Sequence, residues 1–369
     1  MESIKRLLLC HVPVTSCNLR CSYCYITKQR KWDTELTHFT HTANEIAYAL
    51  NKTRMGGPCL INLCGGGETL LPPEMTGIIA ALLDEGHYLE VVTNGTISKR
   101  INEIVQLPRE NLKHLCFKFS FHYLELLRLG LLDSYIENIK KIRNAGCSFT
   151  IEMTPYDELE QHIEDIKKFL LDRLGGLCQL TVVRNDLDSR IPIDTQHDTA
   201  EYFNIWSGFS SKMFDYKQKI YGVKRKEFCY AGLWSLNIRL GDGTYSKCYS
   251  TPVSGNIFTN PDKPLSLKAI GHCPVAYCYN GHAHLTLGLI PEIDDRNYSE
   301  MRNIKFLDGT DSLSYEVSNF FKTKLKFSNI EIPRFKQKKI YLLSWLKNLI
   351  YKSEMRFKNL IRRYKNKML

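Results

Sequence analysis

Short apolar runs alternate with stretches of 3.6-residue period through the first half of the chain. The runs Leu7–Val14, Leu60–Cys64, Leu89–Thr93, Leu115–Phe121, Phe149–Met153 and Leu180–Val183 predict strands. Between them, His41–Thr53, Glu74–Gly86, Ser98–Leu107, Ser134–Gly146 and Asp157–Leu174 predict helices. Gly86, Gly146 and Gly175 fall where helix C-termini favour glycine. Six strands with intervening helices imply a parallel sheet of βα units, open or closed into a barrel. In such folds polar motifs with a function gather at the C-terminal ends of the strands.

The pattern changes after Asp186. Ile191–Lys226 reads as helix and linker, and Arg296–Ile332 is mixed and uninformative. Phe228–Ile293 is rich in Gly, Cys, Tyr and turn signals such as Gly241-Asp242-Gly243, which predicts a small domain built around its cysteines. Lys338–Leu369 is helical and basic. No internal repeat or low-complexity tract interrupts this order.

Charge sharpens the picture of the tail. The net charge is +11, yet from Lys322 onward there are 15 Lys and Arg against 2 Asp and Glu, leaving 35 basic and 37 acidic groups in the rest. A near-neutral body with a basic tail is not the profile of a nucleic-acid binder, and none is expected. No apolar run approaches the roughly 18 residues that span a bilayer. The N-terminal apolar stretch is short and lacks a small-residue cleavage site before Cys10. A cytoplasmic protein is expected, and 13 cysteines there point to thiolate chemistry rather than a disulfide framework.

The segment Cys17-Asn-Leu-Arg-Cys21-Ser-Tyr-Cys24 follows directly on the first strand. One loop can wrap three such thiolates around a [4Fe–4S] cubane, and three ligands leave one iron open for a cofactor or substrate. A structural zinc site usually has four ligands, and a thioredoxin-like pair leaves the third cysteine unexplained.

This triplet, with Tyr23 before its last cysteine, resembles the signature of the radical S-adenosylmethionine (SAM) superfamily. The resemblance covers most of residues 7–185. Strand two runs into Gly65-Gly66-Gly67-Glu68, similar to the family segment that contacts the SAM amino group, with Thr69 where the family usually has proline. It implies a partial (β/α)6 TIM-type barrel in which Tyr23, Gly66, Gly67, Glu68 and Asn94 bind SAM. Ser120, His122 and Arg184, also at strand ends, are placed by it near the ribose and carboxylate. Each of these short motifs alone is more often a plain turn or a packed side chain; their joint occurrence at consecutive strand ends carries the reading. The implied chemistry is reductive cleavage of SAM to a 5′-deoxyadenosyl radical that abstracts a substrate hydrogen, with an external electron donor such as flavodoxin or ferredoxin.

A second set follows: Cys229, Gly243, Cys248, Cys273 and Cys278. Its opening resembles the SPASM/Twitch extension of radical SAM enzymes, in which a hairpin turning at the glycine brings two thiolates together. A full SPASM domain would use about seven cysteines for two clusters; four suffice for one. Twitch is the closer match, although the Cys273–Cys278 spacing is wider than a CxxC. A zinc site with four cysteine ligands has the same ligand number. His272, His282 and His284 crowd the region and could replace a ligand, line a pocket or satisfy backbone. Cys10, Cys59, Cys64, Cys116, Cys147 and Cys178 read as small buried hydrophobes.

The expected organisation is a radical SAM core over residues 1–215, a small cysteine-rich Twitch-like auxiliary domain over 216–295 and an extension with a basic C-terminal helix over 296–369. In that helix Leu343, Leu346, Ile350, Phe357, Leu360 and Tyr364 repeat at helical spacing among Lys and Arg. It can lie on the inner face of a membrane, dock on an acidic partner, or pack on its own body. The substrate stays open between a small molecule or glycan, oxidised or epimerised, and a peptide to be matured. Six residues precede the first strand, with no leader-binding module before it, so the expectation leans to the small molecule or glycan. A non-enzymatic zinc protein is the third reading.

Overall fold

The computed structural model describes residues 2–365 apart from 32, 34, 36, 37 and 189, with side chains up to residue 350. Six parallel strands follow one another in space as in sequence: β1 (Arg6–Val12), β2 (Cys59–Gly65), β3 (Tyr88–Thr93), β4 (Leu115–Ser120), β5 (Ser148–Met153) and β6 (Gln179–Leu180). The apolar runs locate all six. The last is shorter than expected: only Gln179 and Leu180 pair with β5, and the chain then continues extended toward Arg184.

Between the strands lie the helices Ala43–Ala49, Met75–Asp84, Ser98–Ile104, Leu132–Asn144 and Ile163–Leu174. Thr42 and Glu45 form a reciprocal capping box at the first. The single helix expected over 41–53 is two, because the Asn51 side chain accepts from Arg54 N–H and caps a new turn, Lys52–Met55. The helix expected from Asp157 opens as a 3-10 turn, Asp157–His162.

The strands alternate between two environments, the physical signature of a sheet wrapped around a lumen. Leu8, Cys10 and Val12 of β1 face the main core beneath the outer helices. Leu7, with Leu60 and Tyr88 at matching levels of β2 and β3 and Cys116 of β4 one inward position further on, belongs to a second core inside the curve. Segments that the sequence left undecided close this inner core. In the 296–332 stretch, the helices Tyr298–Arg302 and Tyr315–Lys322 plug the lumen, and Phe320 stacks on Tyr88 with ring centroids 3.7 Å apart.

The cysteine-rich region is not the separate small domain expected. Strand β7 (Ser235–Arg239) pairs parallel with β1 over Leu7↔Ser235 to His11↔Arg239, and β8 (Thr244–Ser246) and β9 (Val253–Asn256) extend the same sheet antiparallel to nine strands. The Gly241-Asp242-Gly243 turn does form the β7–β8 hairpin, with Gly243 at φ 73°. The physical reason for the merger is the open edge of β1, whose unpaired backbone groups need a partner strand. The boundary expected at 215/216 falls inside the helix Lys212–Ile220. The C-terminal helix runs from Arg334 to Lys365; residues 366–369, and the side chains of Phe357, Leu360 and Tyr364, lie outside the described residues. Among the described residues no helix is long and apolar enough to cross a membrane.

Candidate functional site

Cys17, Cys21 and Cys24 occupy the loop after β1, and their thiols line a cavity of about 330 Å³ at the C-terminal ends of the strands. Every residue expected to contact SAM lines the same cavity: Tyr23, Gly66, Gly67, Glu68, Asn94, Ser120, His122 and Arg184. Burial pushes the Cys17 thiol up to about 11 and Cys21 higher still, so neither is a free thiolate at neutral pH. Such thiols become thiolates when a metal takes them.

The glycine segment holds the cysteine loop in place. Gly67 N–H donates to the Val14 carbonyl at 2.8 Å and Glu68 N–H to the Ser16 carbonyl at 2.9 Å. A Cβ on Gly67 would stand 1.9 Å from the Ser16 carbonyl oxygen, whereas one on Gly66 meets nothing nearer than 3.3 Å. The glycine requirement at 67 is thus a backbone clash, whereas at Gly66 the Val14 carbonyl makes a tight contact that a shift of a few tenths of an ångström relieves. Thr69 accepts from Gly65 N–H at 3.0 Å and closes the turn with its side chain. Gly67→Ala should abolish iron loading of the cysteine loop and cost about 3 kcal/mol of stability, while Gly66→Ala keeps both. Iron content and urea midpoints measure this; an iron-replete Gly67→Ala protein would refute the packing argument.

Glu68 is fully buried, and its carboxylate is largely spoken for. It accepts from Thr93 Oγ1 at 2.6 Å, Asn94 N–H at 2.7 Å and Leu70 N–H at 3.0 Å. About one acceptor position remains open on it. Burial raises its pKa, and these three donors oppose the rise. Glu68 therefore ties the end of β2 to the end of β3. Asn94 in turn donates to Asn18 Oδ1 at 2.8 Å and to Cys17 Sγ at 3.6 Å, linking that turn to the cysteines. Tyr23 bonds through its hydroxyl to His122 Nδ1 and packs its ring 4.4 Å from Tyr156. Burial lowers His122 to about 4, so the ring is neutral and acts as a hydrogen-bonding group rather than a charge. Arg184 stands 3.8 Å from Asp186, a loose pair that leaves the guanidinium facing the cavity.

The floor of the cavity went unread in the sequence. Lys118 of β4, Glu152 of β5, Lys217 and His282 converge there. Lys118 pairs with Glu152 at 3.1 Å. Burial drives Lys217 down to about 7 against the pull of Glu152, and its ammonium donates to Thr181 Oγ1. His282 Nδ1 is buried without a partner. The signal was present: Glu90, Lys118 and Glu152 are charges inside otherwise apolar runs, which a lumen-facing strand position explains.

The second set also assembles. Cys229, Cys248, Cys273 and Cys278 line one enclosed cavity among Ala231, Ile270 and Leu285. A single tetrahedral zinc, with bonds of about 2.3 Å, would draw its sulfurs to within about 4 Å of one another. Among the described residues, Asp157, Glu160 and His197 form the group of three or more ligand atoms lying within 4.8 Å of one another; neither cysteine set is drawn so tight. The wider spread fits a cubane, whose ligands bind different irons.

The three histidines part ways. His272 faces the C-terminal helix, His282 joins the cavity floor, and His284 lies with Nδ1 3.4 Å from Cys278 Sγ. Cys64 departs from the core reading as well. Unlike Cys10, Cys59, Cys116, Cys147 and Cys178, it is only half-buried. It lines a second cavity with His11, Asn237 and Tyr249, adjoining the first through Arg184, Asp186 and Asn280. Tyr249 forms part of the wall between this second cavity and the four-cysteine nest.

Residues 12–170 match the sequence profile of the Radical SAM superfamily. No curated protein matches the chain. Among solved structures, Streptococcus suis SuiB bound to S-adenosylmethionine superposes with a TM-score of 0.50 at 13% identity, covering 70% of this chain and 65% of SuiB. SuiB bound to its precursor peptide SuiA gives 0.50 at 14% identity, covering 70% and 64%. The chain thus spans less than two thirds of SuiB, and at these identities the likeness speaks for the fold. The native anSMEcpe structure with bound AdoMet matches at 15% identity over 68% of this chain and 78% of that one, with a TM-score of 0.49.

Proposed function

We propose, from the match of residues 12–170 to the Radical SAM superfamily, that the chain is a radical SAM enzyme abstracting hydrogen from a small polar molecule or glycan, which it oxidises or epimerises. The observation that carries the reading is the single cavity that joins the cysteine triplet to a charged, closed-off floor. Cys17, Cys21 and Cys24 hold a [4Fe–4S] cluster, and their number leaves one iron for SAM. When bound, cluster and SAM supply a 5′-deoxyadenosyl radical.

The residues of the chain bind, orient and shield. Gly66 and the remaining acceptor position of Glu68 receive the SAM amino group, and Asn94 positions the turn beside it. Ser120, neutral His122 and Arg184 serve the ribose and carboxylate, and Tyr23 is held by His122 against the cofactor side of the cavity. Below them Lys118, Glu152, Lys217 and the open Nδ1 of His282 offer donors and acceptors to hydroxyl or amino groups of a substrate. The plug of 298–322 keeps bulk water from that floor.

The four later cysteines hold one auxiliary [4Fe–4S] cluster in a Twitch-type arrangement. Their spread favours it over the zinc reading, and Tyr249 stands between it and the second cavity. An external one-electron donor such as flavodoxin or ferredoxin supplies the reducing equivalents. A second reading, peptide maturation, is favoured by one observation: SuiB, which shares the fold, is seen with its precursor peptide SuiA.

The test is anaerobic turnover with SAM and dithionite against a panel of deuterated sugars, aminocyclitols and short peptides. We expect 5′-deoxyadenosine in every case, and deuterium transfer into it from a sugar or aminocyclitol carbon. Transfer from peptides alone would replace the substrate class, and absence of 5′-deoxyadenosine throughout would overturn the enzyme reading.

A further inference from the structure

The C-terminal helix Arg334–Lys365 sits on the body the wrong way round for an ordinary amphipathic helix. Its attached side is mostly polar. Gln337 Nε2 donates to the Ile332 carbonyl at 2.7 Å, Ser344 Oγ accepts from His272 N–H at 2.9 Å, and Asn348 Nδ2 meets His272 Nδ1 at 2.9 Å. Ile340 and Tyr341 complete this side, the Tyr341 ring edge-on to His272 with centroids 5.2 Å apart. The positions 337, 340, 341, 344 and 348 are the half-buried ones between 334 and 350, and they recur at helical spacing.

The apolar row points away from the protein. Phe335 is 69% exposed, Leu342 55%, Leu346 43%, Leu349 44% and Ile350 60%. Spaced by seven, four, three and one residues, they form one stripe opposite the attached side. Lys336, Lys338 and Lys347 border the stripe, and Lys339 interrupts it between Phe335 and Leu342. In the groove beside Leu342 and Trp345, Lys226 adds further positive charge, while Lys224 is held by the Cys273 and Val275 carbonyls and Arg225 lies 3.7 Å from Glu227; Glu292 and Glu331 sit in the other groove, near Arg334. A helix packed for its own fold would turn these leucines inward and leave lysines in water.

We propose that this stripe docks the protein on an anionic lipid surface, the leucines and Phe335 entering the acyl boundary and the lysines meeting headgroup phosphates. Charge complementarity selects this occupant. A second copy would set two lysine-bordered stripes against each other, like charge facing like. The inference is independent of the chemistry proposed for the cavity. It also sets the docked helix against His272, the neighbour of Cys273, so that the cysteine nest lies on the lipid-facing side of the fold.

Co-sedimentation of the full chain with vesicles of equal parts phosphatidylcholine and phosphatidylglycerol tests it, with pure phosphatidylcholine as the comparison. We expect pelleting with anionic vesicles, weakened by salt and at least about tenfold weaker with neutral ones. The variant Leu342→Glu/Leu346→Glu/Leu349→Glu should stay in the supernatant while keeping the melting temperature of the parent, because these side chains already face water. Lys336→Gln/Lys339→Gln/Lys347→Gln should lose the preference for anionic vesicles. Equal pelleting of the leucine variant and the parent, or no pelleting of the parent, would overturn the proposal. So would a parent that runs as a dimer which the leucine changes split, since the stripe would then belong to a second copy.

Discussion

Reconstituted anaerobically with iron and sulfide, the chain should hold about eight irons, and Cys17→Ala/Cys21→Ala/Cys24→Ala about four, two clusters becoming one. With the loss of four irons, 5′-deoxyadenosine formation should fall to background. The expectation rests on the triplet standing alone at its end of the cavity: no histidine lines the cavity within that loop, and Asn94 is the side chain that touches Cys17. Cys229→Ala/Cys248→Ala should also hold about four irons, yet retain the SAM-dependent spectroscopic change of the remaining cluster. The two sets are separated by the second cavity and Tyr249, so removing one leaves the ligands of the other in place. Zinc in place of iron at the second set would sink the auxiliary cluster, and an undiminished iron count in the triplet variant would sink the assignment of the first.

Arg302→Met should be the most destabilising single change in the protein, by about 3–5 kcal/mol, as expected when one member of a buried ionic network is removed. The Arg302 side chain is 3% exposed and lies 2.8 Å from Glu90 and 2.7 Å from Glu152, while its Nε also donates to the Tyr298 hydroxyl at 2.7 Å. Without it Glu90 keeps only neutral donors from Asn62 and Tyr298 among the described contacts, and Glu152 keeps Lys118 at 3.1 Å. Replacing Glu90 and Glu152 by Gln in the same protein should recover part of the loss, since neutral amides need no counter-charge.

The pH dependence has a definite sign. Burial alone would raise Glu152, but Lys118, Arg302 and Lys217 hold it at about 2, below its ordinary 4.5. A carboxylate depressed in the fold contributes stability above its unfolded pKa and loses it as pH falls toward the folded one. Stability should therefore decline between about pH 4.5 and pH 2, and the contribution of Glu152 to that decline should shrink in Arg302→Met. Urea midpoints against pH measure both; an unchanged midpoint in Arg302→Met would show that the network carries no stability.

Much of this candidate site could be read from the chain because one loop can carry all three cysteines. Cys17, Cys21 and Cys24 share one loop, and Gly67 and Glu68 end the next strand. The cavity floor was less legible. Lys118 and Glu152 belong to neighbouring strands, while Lys217, His282 and Arg302 come from segments whose period gave little. Cys64 was misread as core for a related reason. A cysteine at a strand end suits either face, and only the register, which pairs His11 with Cys64, sets it beside a cavity.

By itself the sequence determined the six parallel strands, most of the helices and the triplet with its glycine turn, because each follows from spacing between near neighbours. The hairpin at Gly243 belongs to the same class. The tertiary structure alone decided that this hairpin joins β1 rather than founding a separate domain, that the lumen is charged and plugged from residues 298–322, and that the C-terminal helix turns its leucines outward. These outcomes depend on which surfaces remain unpaired after the strands assemble. An open strand edge, a buried carboxylate in need of a cation and a polar notch beside His272 exist only in the folded chain. The three cysteines share one loop and could be read directly; the charged floor beneath them comes from four separate segments and is assembled only by the fold.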